Sequence, residues 1–170
     1  MKKSLMVAVI LACASQVMAQ SPQQVMIRSE SNVSQMFNEQ KRIQATDESA
    51  AAMTAYLAAL SARIDAEDRG ATAAQLEMAN GYVHSGTLRM AIGDLDKADG
   101  MSVRTVATVF WVVADMDWGA GNYGDACDNY PKATTRYATS GYHFDDAYYN
   151  YNQAHMMYTM GKTLYGMINP

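Results

Sequence analysis

Prolines stand only at Pro22, Pro131 and Pro170, and no segment sustains the period-two alternation of a half-buried strand. A chain with so few helix breakers and with apolar residues at helical spacing is expected to be all-α. Ser21-Pro22 reads as a helix start, with a capping serine and proline in the first turn. Met26, Val33, Phe37 and Ile43 fall loosely on one helical face. From Glu48 the stripe is cleaner: Met53, Tyr56, Leu57, Leu60 and Ile64 recur at spacings of three and four. Gly70 ends that segment, and Thr72-Ala73-Ala74-Gln75 reads as a capping box opening the next.

The second half of the chain contains an internal repeat. GTLRMAIGDLDKA, from Gly86, aligns with GNYGDACDNYPKA, from Gly121, at an offset of 35 residues. The alignment pairs Leu88 with Tyr123, Ala91 with Ala126, Leu95 with Tyr130, Lys97 with Lys132 and Ala98 with Ala133. Seven residues upstream of the two glycines stand Ala79 and Ala114. In a helical-hairpin reading each glycine breaks one helix and turns the chain. The alanines let paired helices approach, and Leu95 or Tyr130 fills the space against the neighbouring unit. A weaker third copy runs from Ala147 to Gly161, with Ala154 and Gly161 again seven apart and 138 to 144 as a lengthened loop.

This arrangement resembles the tetratricopeptide repeat, a helix–turn–helix unit of about 34 residues. Ala79, Tyr82, Gly86, Leu88, Ala91, Leu95 and Ala98 carry the resemblance in one unit. Ala114, Gly121, Tyr123, Ala126, Tyr130 and Ala133 carry it in the next. Asp117 stands where an aromatic is usual, and Pro131 falls inside a helix that it should bend or shorten. The resemblance implies a short α-solenoid with units over 71–105 and 106–140 and a partial one over 145–170. Residues 20–70 are then two capping helices over one end of the array.

The first 19 residues have the layout of a removable export signal. Lys2 and Lys3 precede an apolar run from Leu5 to Ala12, and Val17-Met18-Ala19 places the cleavage after Ala19. A rival reading attaches lipid at Cys13, after an unusually short apolar stretch. Export implies a periplasmic or secreted protein, with no later segment apolar enough to cross a bilayer. Removal of Lys2 and Lys3 leaves 11 basic against 17 acidic residues, a formal charge of −6 in place of −4. That balance argues against a nucleic-acid partner. Cys127 is then alone, so no internal disulfide can form.

In such repeats the first helices line a concave groove. By position the resemblance implies Leu76, Asn80 and Val83 in the first unit, Trp111, Asp115 and Trp118 in the second, and Tyr151, His155 and Tyr158 in the third. Trp111, Trp118 and Tyr151 would supply buried contact, Asn80 and Asp115 would fix polar groups, and Phe110 and Val113 are read as core. Motifs for catalysis are not met. Gly161-Lys162-Thr163 lacks the upstream glycine of a phosphate loop, since position 156 is Met156. The expected function is thus a non-catalytic module, without cofactor, that binds a protein or peptide partner in the envelope. One alternative is copper binding by His155 with Met156, Met157 and Met160. Another is a structural protein that self-associates as a homodimer.

Overall fold

The computed structural model describes residues 20–168. The expected export signal, over residues 1–19, therefore lies outside the described residues. Three long helices account for nearly all of them: α1 (Pro22–Asp68), α2 (Ala73–Gly119) and α3 (Tyr123–Met167). Helices of 47, 47 and 45 residues are each about 70 Å long at 1.5 Å per residue. No described residue lies in a strand.

The helix boundaries follow local chemistry. Ser21 and Gln24 form a reciprocal capping box at the start of α1, with Pro22 as the first helical residue. Thr72 and Gln75 do the same for α2. The two turns share one design. Gly70 and Gly121 adopt φ of 90° and 82°, where an L side chain would be strained. The amides that follow them reach back five residues, Ala71 to the Ala66 carbonyl and Asn122 to that of Asp117.

The packing obeys a period of seven. On α1 the buried residues are Ser31, Asn38, Ala45, Ala52, Ala59 and Ala66. On α2 a matching line runs Ala79, Gly86, Gly93, Gly100, Ala107 and Ala114. Helix α3 carries two such lines. One is small, Ala126, Ala133, Ser140, Ala147, Ala154 and Gly161; the other is aromatic, Tyr130, Tyr137, Phe144, Tyr151, Tyr158 and Tyr165. A strict seven-residue repeat keeps one face toward its partners when the helices wind around each other left-handedly.

Helix α3 is the centre of the rod. It packs along both other helices, while α1 and α2 scarcely touch. The aromatic line explains that separation, since its rings stand between the small residues of α1 and α2. Each step of seven down α2 meets a step of seven up α3: Gly86 faces Tyr158, Gly93 faces Tyr151, and Gly100 faces Phe144. At Gly100 the backbones are close enough for Ser140 Oγ to donate to its carbonyl at 2.7 Å. Along α1, Asn38 Nδ2 donates to the Tyr137 carbonyl at 2.9 Å, and Arg104 of α2 pairs with Glu39 at 2.6 Å. These polar contacts set the register, because a one-turn slip would break all of them.

Several sequence expectations are corrected here. Gly86 does not turn the chain; it is buried inside α2, where only a residue without a side chain admits the Tyr158 ring. Residues 138 to 144 form no loop, and Ser140 and Phe144 within them are fully buried. Residues 22–68 are one helix, not two. Pro131 does not end α3, although the Cys127 carbonyl loses its helical donor there. The 35-residue offset is five steps of seven, so aligned residues keep one heptad position, but the position of Leu95 faces solvent on α2 and that of Tyr130 faces the core on α3. Leu95 is 68% exposed while its match Tyr130 is fully buried. Val113, expected in the core, is exposed as well, and Phe110 is half-buried beneath the Arg136 guanidinium.

The tyrosine line predicts alkaline sensitivity. Burial pushes the phenols of Tyr151, Tyr158 and Tyr165 above their ordinary value, and that of Tyr130 up to about 12. An unfolded tyrosine ionises near pH 10, so the unfolded chain loses these protons first as pH rises. Their contribution to stability is complete below about pH 10 and is lost on the way to the folded values. The midpoint of thermal unfolding should therefore fall steeply above about pH 10, with tyrosinate absorbance and helix loss rising together. Tyr151→Phe should flatten that fall.

Candidate interaction surface

The heptad that turns small residues toward α3 turns large ones away from it. On the outer face of α2, Leu88, Ile92 and Leu95 are followed by Val106, Val109 and Val113 at alternating spacings of three and four. Met78 and Met116 extend the line to both ends of the helix. All of them are exposed: Leu88 by 54%, Val109 by 57% and Met116 by 70%. Counting in steps of about 100° from Gly93 puts Leu95 about 160° and Ile92 about 100° away from the α3-facing line, so the seam faces outward and to one side. Helix α1 has a smaller outward stripe in Met36, Ile43, Leu57 and Ile64. Such spacing is that of a coiled-coil seam, here without a partner helix over it.

The rod spreads the sequence-derived groove residues over most of its length. Leu76, Asn80 and Val83 lie near the α1–α2 turn. Leu76 is buried with Ala66 and Tyr165, Asn80 accepts a hydrogen bond from Tyr165 O–H at 2.6 Å, and Val83 packs on Gly161. Tyr151 and Tyr158 belong to the aromatic line, with Tyr151 O–H donating to Asp94 at 2.8 Å. His155 Nδ1 lies 2.9 Å from Glu48 of α1. These side chains join helix to helix and do not line a common concave surface.

Trp111, Asp115 and Trp118 do come together, at the end where α2 turns into α3. Arg28 of α1 sits 5.0 Å from the Trp118 ring centroid and donates to Asp115 at 2.7 Å. Asp115 also accepts from Tyr130 O–H at 3.2 Å, and Trp111 Nε1 donates to Asn32 at 2.9 Å. This cluster ties α1 across the α2–α3 hairpin. Trp118 is buried within it, so the polar groups that were expected to meet a ligand meet α1 instead.

A groove of about 880 Å³ runs along α1 past Val33, Met36, Phe37 and Ile43 to Arg104 of α2. A groove of about 430 Å³ between α1 and α3 runs past Phe37, Gly141 and Tyr142, with Glu30 and Lys41 on its rim. Burial raises the pKa of the half-buried Cys127 thiol, which lowers its thiolate fraction. No described helix is long and apolar enough to cross a membrane. Among the described residues no group of three or more His, Cys, Asp or Glu is placed to hold a metal ion.

The signal that marked the α2 face was the three–four spacing of Leu88, Ile92 and Leu95, continued by Val106, Val109 and Val113. Repeat alignment assigned Leu95 to packing against the neighbouring unit and so hid it. By fold and surface the chain is a heptad-built three-helix rod with apolar residues turned outward. No family model, curated protein or solved structure matches it.

Proposed function

We propose that this chain is a non-catalytic helical interaction module, exported to the cell envelope, that works by covering its outward apolar faces with other helices. The observation that carries the reading is the exposed seam of α2. Contiguous apolar surface beyond a few hundred Å² is uncommon on a soluble monomer and marks a contact site. Export is supported by the layout of residues 1 to 19, with cleavage after Ala19. The tetratricopeptide resemblance suggested the same general role through a concave groove. The outer face of α2 now supports it better, because the groove residues are engaged between helices.

The test uses the chain from Gln20 onward as bait in native envelope extract. Leu95→Glu and Val109→Glu should each remove most of the protein recovered with it, untagged copies of the chain included. Helix content by circular dichroism should stay unchanged, since both side chains point to solvent. Met160→Glu, exposed on α3, is the control and should recover as much as the parent. Equal recovery by all four proteins would refute the reading.

A further inference from the structure

We infer that the outer face of α2 pairs with the same face of a second copy, antiparallel, about a two-fold axis between Gly100 and Met101. The inference rests on the interaction reading above and names its partner. A two-fold contact uses one patch twice, so the patch must complement itself when reversed. The α2 seam does. With the axis at that point, Leu88 meets the partner's Val113, Ile92 meets the partner's Val109, and Leu95 meets the partner's Val106. The symmetry doubles these into six layers of large apolar side chains. The two central layers set Asp99 against the partner's Ser102, a carboxylate opposite a hydroxyl that can donate to it. A polar pair at the centre of an otherwise apolar seam fixes register and orientation, as a lone buried polar residue does in coiled coils.

Area and charge favour a second copy over other occupants. The exposed parts of these six side chains amount to roughly 550 Å² per copy, the larger part of the ~800 Å² that each partner contributes to a standard-size interface. One flank of the seam is Ala91, Ala98, Thr105 and Val112, small or apolar along the whole run. The other is Arg89, Asp96, Val103 and Phe110, where each charge lies opposite an uncharged residue of the reversed copy. The small flank lets two helices approach closely, and the like charges nearest each other are the two Asp99 carboxylates beside the axis, each facing a Ser102 hydroxyl. A membrane surface fits poorly, because interfacial helices carry Lys and Arg beside the apolar face and the chain is acidic. The rods would lie side by side, with α1 and α3 of each copy left on the outside.

Sedimentation equilibrium of the chain from Gln20 onward, carrying Cys127→Ser, tests association. The parent should be a dimer at micromolar concentration. Leu95→Glu should raise the dissociation constant about a hundredfold or more, because a charge would be buried at two sites. Met160→Glu should leave it unchanged. Register is read by oxidation of mixed single-cysteine chains: Leu88→Cys should join to Val113→Cys and not to itself, the two Leu88 positions lying about 37 Å apart along the axis. A parent that stays monomeric at high concentration would overturn the inference, as would a dimer indifferent to Leu95→Glu, or Leu88→Cys joining to itself. If a monomeric parent still lost its envelope partners through Leu95→Glu, the second copy would be refuted and the interaction reading would survive.

Discussion

Phe144→Ala should destabilise the rod by about 3–5 kcal/mol, the usual cost of truncating a buried aromatic to alanine. Phe144 is fully buried near the middle of α3, in a cluster with Ala45 of α1 and with Ala147 and Tyr151. Its ring lies against the backbone of Gly100. The buried residues that face the ring from α1 and α2 are Ala45 and Gly100, which have no side chain able to swing into the space. The cavity therefore persists, and the cost should fall in the upper part of the range. For a domain of this size the thermal midpoint should drop by roughly 10 °C. A companion substitution makes the claim specific. A Cβ on Gly100 would meet the Phe144 ring at 2.8 Å, so Gly100→Ala alone should destabilise. In the Phe144→Ala background the ring is gone and the added methyl fills part of the hole. The double variant should then be more stable than Phe144→Ala alone, and a cycle with simply additive costs would show that the two do not touch.

The helical class was legible because it depends on local rules: few prolines, two capping boxes and the glycines that turn at 70 and 121. The tertiary arrangement was harder to read, and the reason is chemical. Apolar stripes are normally sought among large side chains, on the premise that these are buried. Here Leu57 and Ile64 on α1, and Leu88 and Leu95 on α2, are exposed. The buried lines are alanine, glycine and serine, residues with too little apolar character to register as a stripe. The period itself was in view, in the seven-residue steps from Ala79 to Gly86 and from Ala154 to Gly161. A heptad sequence matches itself at every multiple of seven, and 35 is one of them. The offset thus agreed with a tetratricopeptide unit while arising from five heptads of another pattern. The groove residues inherited that error, since a register read for hairpins assigns Tyr151 and Tyr158 to a surface that the rod fills. What escaped entirely was the aromatic line, six residues at steps of seven from Tyr130 to Tyr165, in a chain rich enough in late tyrosines to obscure it.

Gly93→Leu and Gly81→Leu, the same exchange at two positions of α2, should change stability in opposite directions. Glycine inside a helix costs about 1 kcal/mol relative to alanine, and leucine is nearly as good a helix former as alanine. At Gly81 an added Cβ meets nothing within 4 Å, so the backbone gain appears unopposed. That variant should be stabilised by about 0.5–1 kcal/mol. At Gly93 the Cβ would lie 2.8 Å from two carbons of the Tyr151 ring and 3.3 Å from the Ala147 carbonyl oxygen. The ring has little room to retreat. It is fully buried, and its hydroxyl is held by Asp94. The carbonyl belongs to the α3 backbone, and moving it means moving that helix. Overpacking a tight contact costs about 1–3 kcal/mol and occasionally more, and leucine adds three carbons beyond the Cβ. Gly93→Leu should therefore lose about 3 kcal/mol net, measured by denaturant unfolding beside Gly81→Leu. A bundle that merely needed small residues somewhere on α2 would penalise the two sites alike. A rod built on one line of close approach penalises only the site on that line.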